Sequence, residues 1–152
     1  ILTVSTTGNG SVSPNYNGQW LEVGVSYTIT AQPAVGFAFT NWTGSIPSTA
    51  AQLTFVMQSN LTLVASFVDV GRPTLTVTTP LNNAIVTNST LLAQGTATDN
   101  VSVTQVTWSN AANGSSGSAT GTGSWTVNGI GLQLGSNLIT VRAVDAGGER
   151  SI

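Results

Sequence analysis

Apolar side chains recur at every second position along most of this chain, the period of a half-buried β-strand. The pattern is sharpest around residues 91–110. Leu91, Ala93, Gly95 and Ala97 alternate with Leu92, Gln94, Thr96 and Thr98. Val101 and Val103 open the next run, and Val106 and Trp108 continue it one residue out of phase. That offset predicts a bulge at Thr104-Gln105. Asp99-Asn100 stands between the runs, and both side chains can bond nearby backbone N–H groups, so a tight turn and a hairpin are expected. Trp108 is the leading core candidate of this region. Burying a Trp removes roughly 150–250 Å² from water, worth about 4–6 kcal/mol before entropy is charged.

Taken in order, the remaining runs also read as strands. Ile1 to Thr6 alternates, Thr7 to Gly10 turns, and Ser11 to Pro14 returns. Val25, Tyr27, Ile29 and Ala31 share one face of the next strand. Phe37, Phe39 and Trp42 follow, then Leu53, Phe55 and Met57, then Leu61, Leu63, Ala65 and Phe67. This i, i+2 spacing favours core over an exposed aromatic platform. Asp69 to Pro73 is a linker, because Gly71 breaks the pattern and Pro73 lacks a donor. Beyond it, strands are expected at 74–79, 124–130 and 139–143, a short edge piece at Ile85-Val86, and a weak strand near 118–120. The 124–130 strand carries Trp125 and Val127, and in the last one Ile139, Val141 and Ala143 face in while Thr140 and Arg142 face out. The reading is all-β, with a module at 1–68, a linker at 69–73 and a module at 74–152.

Two stretches resemble known families. The motif LTVSTTGNGSVSP, then YTITAQPAVGFAFTNWTG, then NLTLVASF, is similar to a divergent internalin-type B-repeat over residues 1–68. That family occurs in tandem on bacterial surface and secreted proteins. One departure is Asn41, where a Gly commonly precedes the Trp. The motif GTATDNVSVTQVTW, then Trp125, then GSNLITVRAVDAGGERS, resembles a bacterial immunoglobulin-like domain of the glucodextranase-like type over residues 73–152. Such domains are appended to secreted glycosidases and surface proteins. The resemblance implies an Ig-like β-sandwich and no particular ligand. A seventh strand normally lies beside the sixth. Only Glu149 to Ile152 remain for it, so the last strand is expected to be truncated, the chain to continue beyond Ile152, or the groove to accept a strand from a neighbouring subunit. The opening Ile1-Leu2-Thr3-Val4 has the look of an internal fragment or a processed form.

Composition narrows the function. Charged residues make up only 5% of the 152, with three Arg and no Lys, and the net charge is −2. A nucleic-acid partner would require a basic face. The polar surface is instead Thr, Ser, Asn, Gln and Gly, which suits a protein that lives anchored, tethered or assembled; the alternative is that exported bacterial β-modules simply have this composition. No stretch of about 18 apolar residues offers a membrane span. His, Cys and Lys are all absent. That removes the common general base, the thiol nucleophile and Ser–Lys chemistry. Only paired carboxylates remain for catalysis, as in glycoside hydrolysis. The acids Glu22, Asp69, Asp99, Asp145 and Glu149 all read as turn, linker or strand-end residues, so no enzyme is expected.

Two sites follow. In an Ig-like sandwich the second and sixth strands end at the pole where the first begins. Asp69, Asp99 and Asp145, with Asn100, are therefore candidate calcium ligands, since Ca²⁺ takes hard oxygen donors. The competing expectation is that Asp99 and Asp145 cap turns and Arg72 pairs with one of them. Trp20 and Trp42 are the candidate sugar-stacking residues. The expected role is a non-catalytic spacer, display or assembly segment of an extracellular or cell-surface protein. Its expected partners are other β-modules of the same chain or neighbouring subunits. The alternatives are a carbohydrate-binding accessory module of a secreted hydrolase, with polysaccharide as partner, and a filament subunit completed by a donor strand.

Overall fold

The computed structural model describes all residues 1–152. It divides into two compact units, Ile1–Val70 and Gly71–Ile152. Every regular element is a strand, and no helix is long and apolar enough to cross a membrane.

The first unit has strands β1 (Thr3–Thr7), β2 (Gly10–Ser13), β3 (Ser26–Pro33), β4 (Phe37–Gly44), β5 (Gln52–Val56) and β6 (Thr62–Asp69). They form two three-stranded sheets, β1-β6-β4 and β2-β3-β5. β1 pairs with β6 in parallel, and the other pairings are antiparallel. Both inner faces feed one core. Val4, Leu63, Ala65, Phe67 and Trp42 come from the first sheet, and Ile29, Ala31, Leu53 and Phe55 from the second. A register shift between Phe39 and Asn41 explains how Phe39 and Trp42, three apart, serve the same core. Their rings lie 5.9 Å apart, and Phe39 lies 5.9 Å from Phe67. Trp42 is 0% exposed, with its Nε1–H donated to the Ala51 carbonyl at 3.2 Å.

The second unit has β7 (Thr74–Thr79), β8 (Thr90–Thr98), β9 (Val103–Asn110), β10 (Ser116–Ser118), β11 (Ser124–Gly131) and β12 (Ile139–Asp145). Its sheets are β11-β8-β7 and β10-β9-β12. Ala93 and Ala97 of β8, Val106 of β9, Trp125, Val127 and Ile130 of β11, and Ala143 of β12 fill the space between them. This is the two-layer arrangement of an Ig-like sandwich. Beyond β12 the chain turns back. Arg150 pairs with Val144, and the Ser151 N–H bonds the Ala143 carbonyl at 3.0 Å, so residues 150–151 start a strand where the seventh would lie.

Three expectations need correction. β8 and β9 are not a hairpin, because they lie in different sheets, and the Asp99-Asn100 turn is a corner between layers. β8 already has β7 on one edge and β11 on the other, so no edge remains for β9. Trp108 is only partly buried, whereas Trp125, at 1% exposed, holds the centre. It can do so because Gly95, on the facing strand, leaves room for its ring. Ile85-Val86 forms no strand, and Ile85 is almost fully exposed. The predicted bulge is present. Gln105 pairs with Val144 and Val103 with Asp145, leaving Thr104 as the extra residue.

Candidate functional site

The second unit gathers its acids at one pole, where β8 and β12 both end. Asp99 follows β8. Its Oδ2 accepts the Val101 N–H at 2.9 Å and the Ser102 N–H at 3.1 Å, closing the corner. Asp145 ends β12. Its Oδ1 accepts the Glu149 N–H at 2.8 Å, and its own N–H bonds the Glu149 carbonyl at 3.1 Å. The two turns are tied together, since the Ala146 N–H donates to the Ser102 carbonyl at 3.1 Å. The bulged Thr104 locks the same place, with its hydroxyl directed at the carbonyls of Val144 and Asp145, 3.1 and 2.9 Å away.

Each carboxylate thus commits one oxygen to its own turn. The other oxygens, Asp99 Oδ1 and Asp145 Oδ2, are buried without a hydrogen-bond partner. Asp145 is only 3% exposed. Carboxylate oxygens of the two residues lie within 4.8 Å of each other. Two unit charges at that separation repel by about 3 kcal/mol at an effective dielectric near 20. Both acids do cap turns, as one expectation held. Arg72 does not join them. Its Nε pairs with Glu149 Oε2 at 3.5 Å, between side chains 58% and 39% exposed. Such a pair contributes about 0–1 kcal/mol and leaves the two aspartates unneutralised. Oxygens withdrawn this far from solvent are poorly placed to attack or protonate a glycosidic bond. Hard, anionic and dehydrated, they suit a bound cation.

The other two candidate ligands belong to different units, Asn100 to the second and Asp69 to the first. Asn100 is next to Asp99. The Gly71 backbone approaches it so closely that a Cβ at Gly71 would overlap Asn100 Oδ1. Asp69 is the last residue of β6, in the first unit, two residues before Gly71.

The aromatic candidates separate. Trp42 is fully enclosed and has no face to offer a sugar, which removes it as a stacking residue. Its inward place follows from the β4 bulge. Trp20 is 85% exposed, outside any strand. Elsewhere in the second unit an open cleft of about 1030 Å³ lies between the 80–89 and 132–138 loops, with Val77, Leu91, Ala93, Ile139 and Val141 among the residues lining it.

Asn110 is a structural centre that the alternation pattern missed. It is 1% exposed at the end of β9. Its Nδ2 donates to the Gly131 carbonyl and to Asn137 Oδ1, both at 3.0 Å, and its Oδ1 accepts the Ala112 N–H at 3.0 Å. Asn137 in turn bonds the Gln133 N–H and carbonyl, at 3.0 and 2.8 Å. The only signal in the sequence was a density of Asn and Gly, which reads equally well as an ordinary loop.

Two small β-layered units in series, each with its own core, define the class as a tandem-module β-protein. Residues 1–71 match the divergent InlB B-repeat domain, and residues 73–147 match the bacterial Ig domain. The chain is thus a B-repeat module followed by a bacterial Ig-like module, the architecture its motifs suggested. Among solved structures it is similar to the fibronectin(III)-like modules of Clostridium thermocellum CbhA, at 17% identity and a TM-score of 0.47, over 94% of this chain and 89% of that one. Comparison with curated proteins gives no match.

Proposed function

We propose that this chain is a non-catalytic spacer and display segment of a bacterial exported protein. The observation that carries the reading is that each module completes a core of its own from strands adjacent in the chain. Such units can be strung in series without a shared active centre. The surface supports the same role, because its neutral Thr, Ser and Asn side chains keep strands hydrated without ion pairs. Both families are typical of surface or secreted proteins. The test is replacement. Exchanging the segment, within the protein that carries it, for two unrelated β-sandwich modules of equal length should preserve display at the cell surface. Loss of function on that exchange, with expression unchanged, would defeat the spacer reading.

A carbohydrate-binding role is favoured by one observation, the exposed indole of Trp20. An open indole face can stack on a sugar ring. Incubation with insoluble cellulose, chitin and peptidoglycan separates the two readings. A spacer stays in the supernatant. An accessory module is retained, and Trp20→Ala releases it.

A further inference from the structure

We propose that the pole carrying Asp99 and Asp145 is a calcium site. This goes beyond the spacer role, which stands with or without a bound ion.

Asp145 carries the argument. A carboxylate that is 3% exposed, with one oxygen bonded to its own turn and the other bare, has lost its water and gained no donor for that oxygen. Buried charges persist where they are paired or coordinate a metal. Asp99 repeats the pattern, with Oδ2 holding two backbone N–H groups and Oδ1 buried and bare. The two side chains come from the ends of strands in opposite sheets, and an oxygen of each lies within 4.8 Å of the other. Ca²⁺–O distances are about 2.3–2.6 Å, so two oxygens on opposite sides of one ion stand up to roughly 5 Å apart. The separation therefore already fits a shared ion.

Neutralisation by protein cations is not the alternative. Arg72 is engaged with Glu149. Arg142 pairs in register with Thr107, in the middle of β12 rather than at its end, and Arg150, bridged to Val144, makes no ion pair with either aspartate. The turns supporting the two acids are held by backbone hydrogen bonds, so the pole is preformed and not assembled by the ion.

Two anionic ligands give a net negative site that favours a divalent over a monovalent ion. Calcium is preferred to magnesium because it accepts irregular oxygen sets, whereas Mg²⁺ demands near-ideal octahedral geometry. An affinity in the range of extracellular modules is expected, on the order of 10⁻⁴ M.

The test begins with the whole chain stripped by EDTA and dialysed. Adding about 1 mM CaCl₂ should raise the melting temperature of the second unit by about 5 °C, and calorimetric titration should show one site. About 1 mM MgCl₂ should give a much smaller shift. Asp145→Asn and Asp99→Asn keep an acceptor for each turn while removing the charge. In EDTA they should melt at or above the parent chain, and both should lose the calcium response. Titration of the parent chain decides the matter even if a variant folds poorly. Absence of binding heat and of a thermal shift overturns the site, and an equal response to Mg²⁺ overturns the calcium assignment.

Discussion

Gly95 shows how much one missing methyl group can decide. It sits in β8, the central strand of its sheet, where Gly is ordinarily unfavourable. A Cβ there would overlap the Thr76 carbonyl on one side and the Trp125 ring on the other. The strand accepts Gly so that the largest side chain of the core can lie flat across it. Gly95→Ala should therefore destabilise the second unit by about 1–3 kcal/mol, the usual cost of overpacking. A urea melt followed by Trp fluorescence would show the midpoint falling with the slope unchanged; an unaltered midpoint would mean the ring has space in reserve. Asn110 acts through polarity instead of volume. Asn110→Leu keeps the branched outline but strands the Ala112 N–H, while the Gly131 carbonyl keeps Asn113 and Asn137 Oδ1 keeps the Gln133 N–H. A group left without its partner costs about 1–3 kcal/mol, and a loss of that size is expected in the same melt.

At the scale of elements, the corners carry the architecture. β1 to β2 and β8 to β9 each read as a strand, a short polar turn and a returning strand. Both turns in fact pass the chain from one sheet to the other. Period two reports which side chains face inward, and it is the same for a hairpin and for a sandwich corner. This is why strand positions and inward faces were legible in the sequence while strand partners were not. The bulge at Thr104 was legible because it leaves a phase slip in the apolar pattern. The prominence of Trp125 over Trp108 was not, because it depends on Gly95 across the sheet. At the candidate site, the resemblance to an Ig-like sandwich placed Asp99 and Asp145 at the ends of their strands. The bare, buried oxygen on each side chain could come only from the packed structure. The single hydroxyl proton of Thr104 is shared between two carbonyls at the end of β12 and so stiffens this pole. Thr104→Val keeps the shape and deletes those bonds. It should cost about 1 kcal/mol, with faster amide exchange at residues 144–149 as the local signature.

At the scale of the whole molecule, two cores mean two stabilities. The first unit has 70 residues, Ile1 to Val70, which places its expected stability at roughly 4–10 kcal/mol. Trp42 is the largest side chain buried in it. Truncating a buried Trp to Ala costs about 3–5 kcal/mol, a large share of that total. The second unit owes nothing to Trp42, since its core is built around Trp125 with β8, β9, β11 and β12. Trp42→Ala should therefore split the calorimetric trace. An early transition, lowered by about 12 °C or more on the basis of about 4–8 °C per kcal/mol, should belong to residues 1–70. The later one should stay where the parent chain has it. Assignment comes from two-dimensional NMR at a temperature between the two, where amide signals from 71–152 should remain dispersed while those from 1–70 collapse. A single shifted transition would instead mean that the modules unfold as one cooperative body, and a spacer made of separable units would no longer describe the chain.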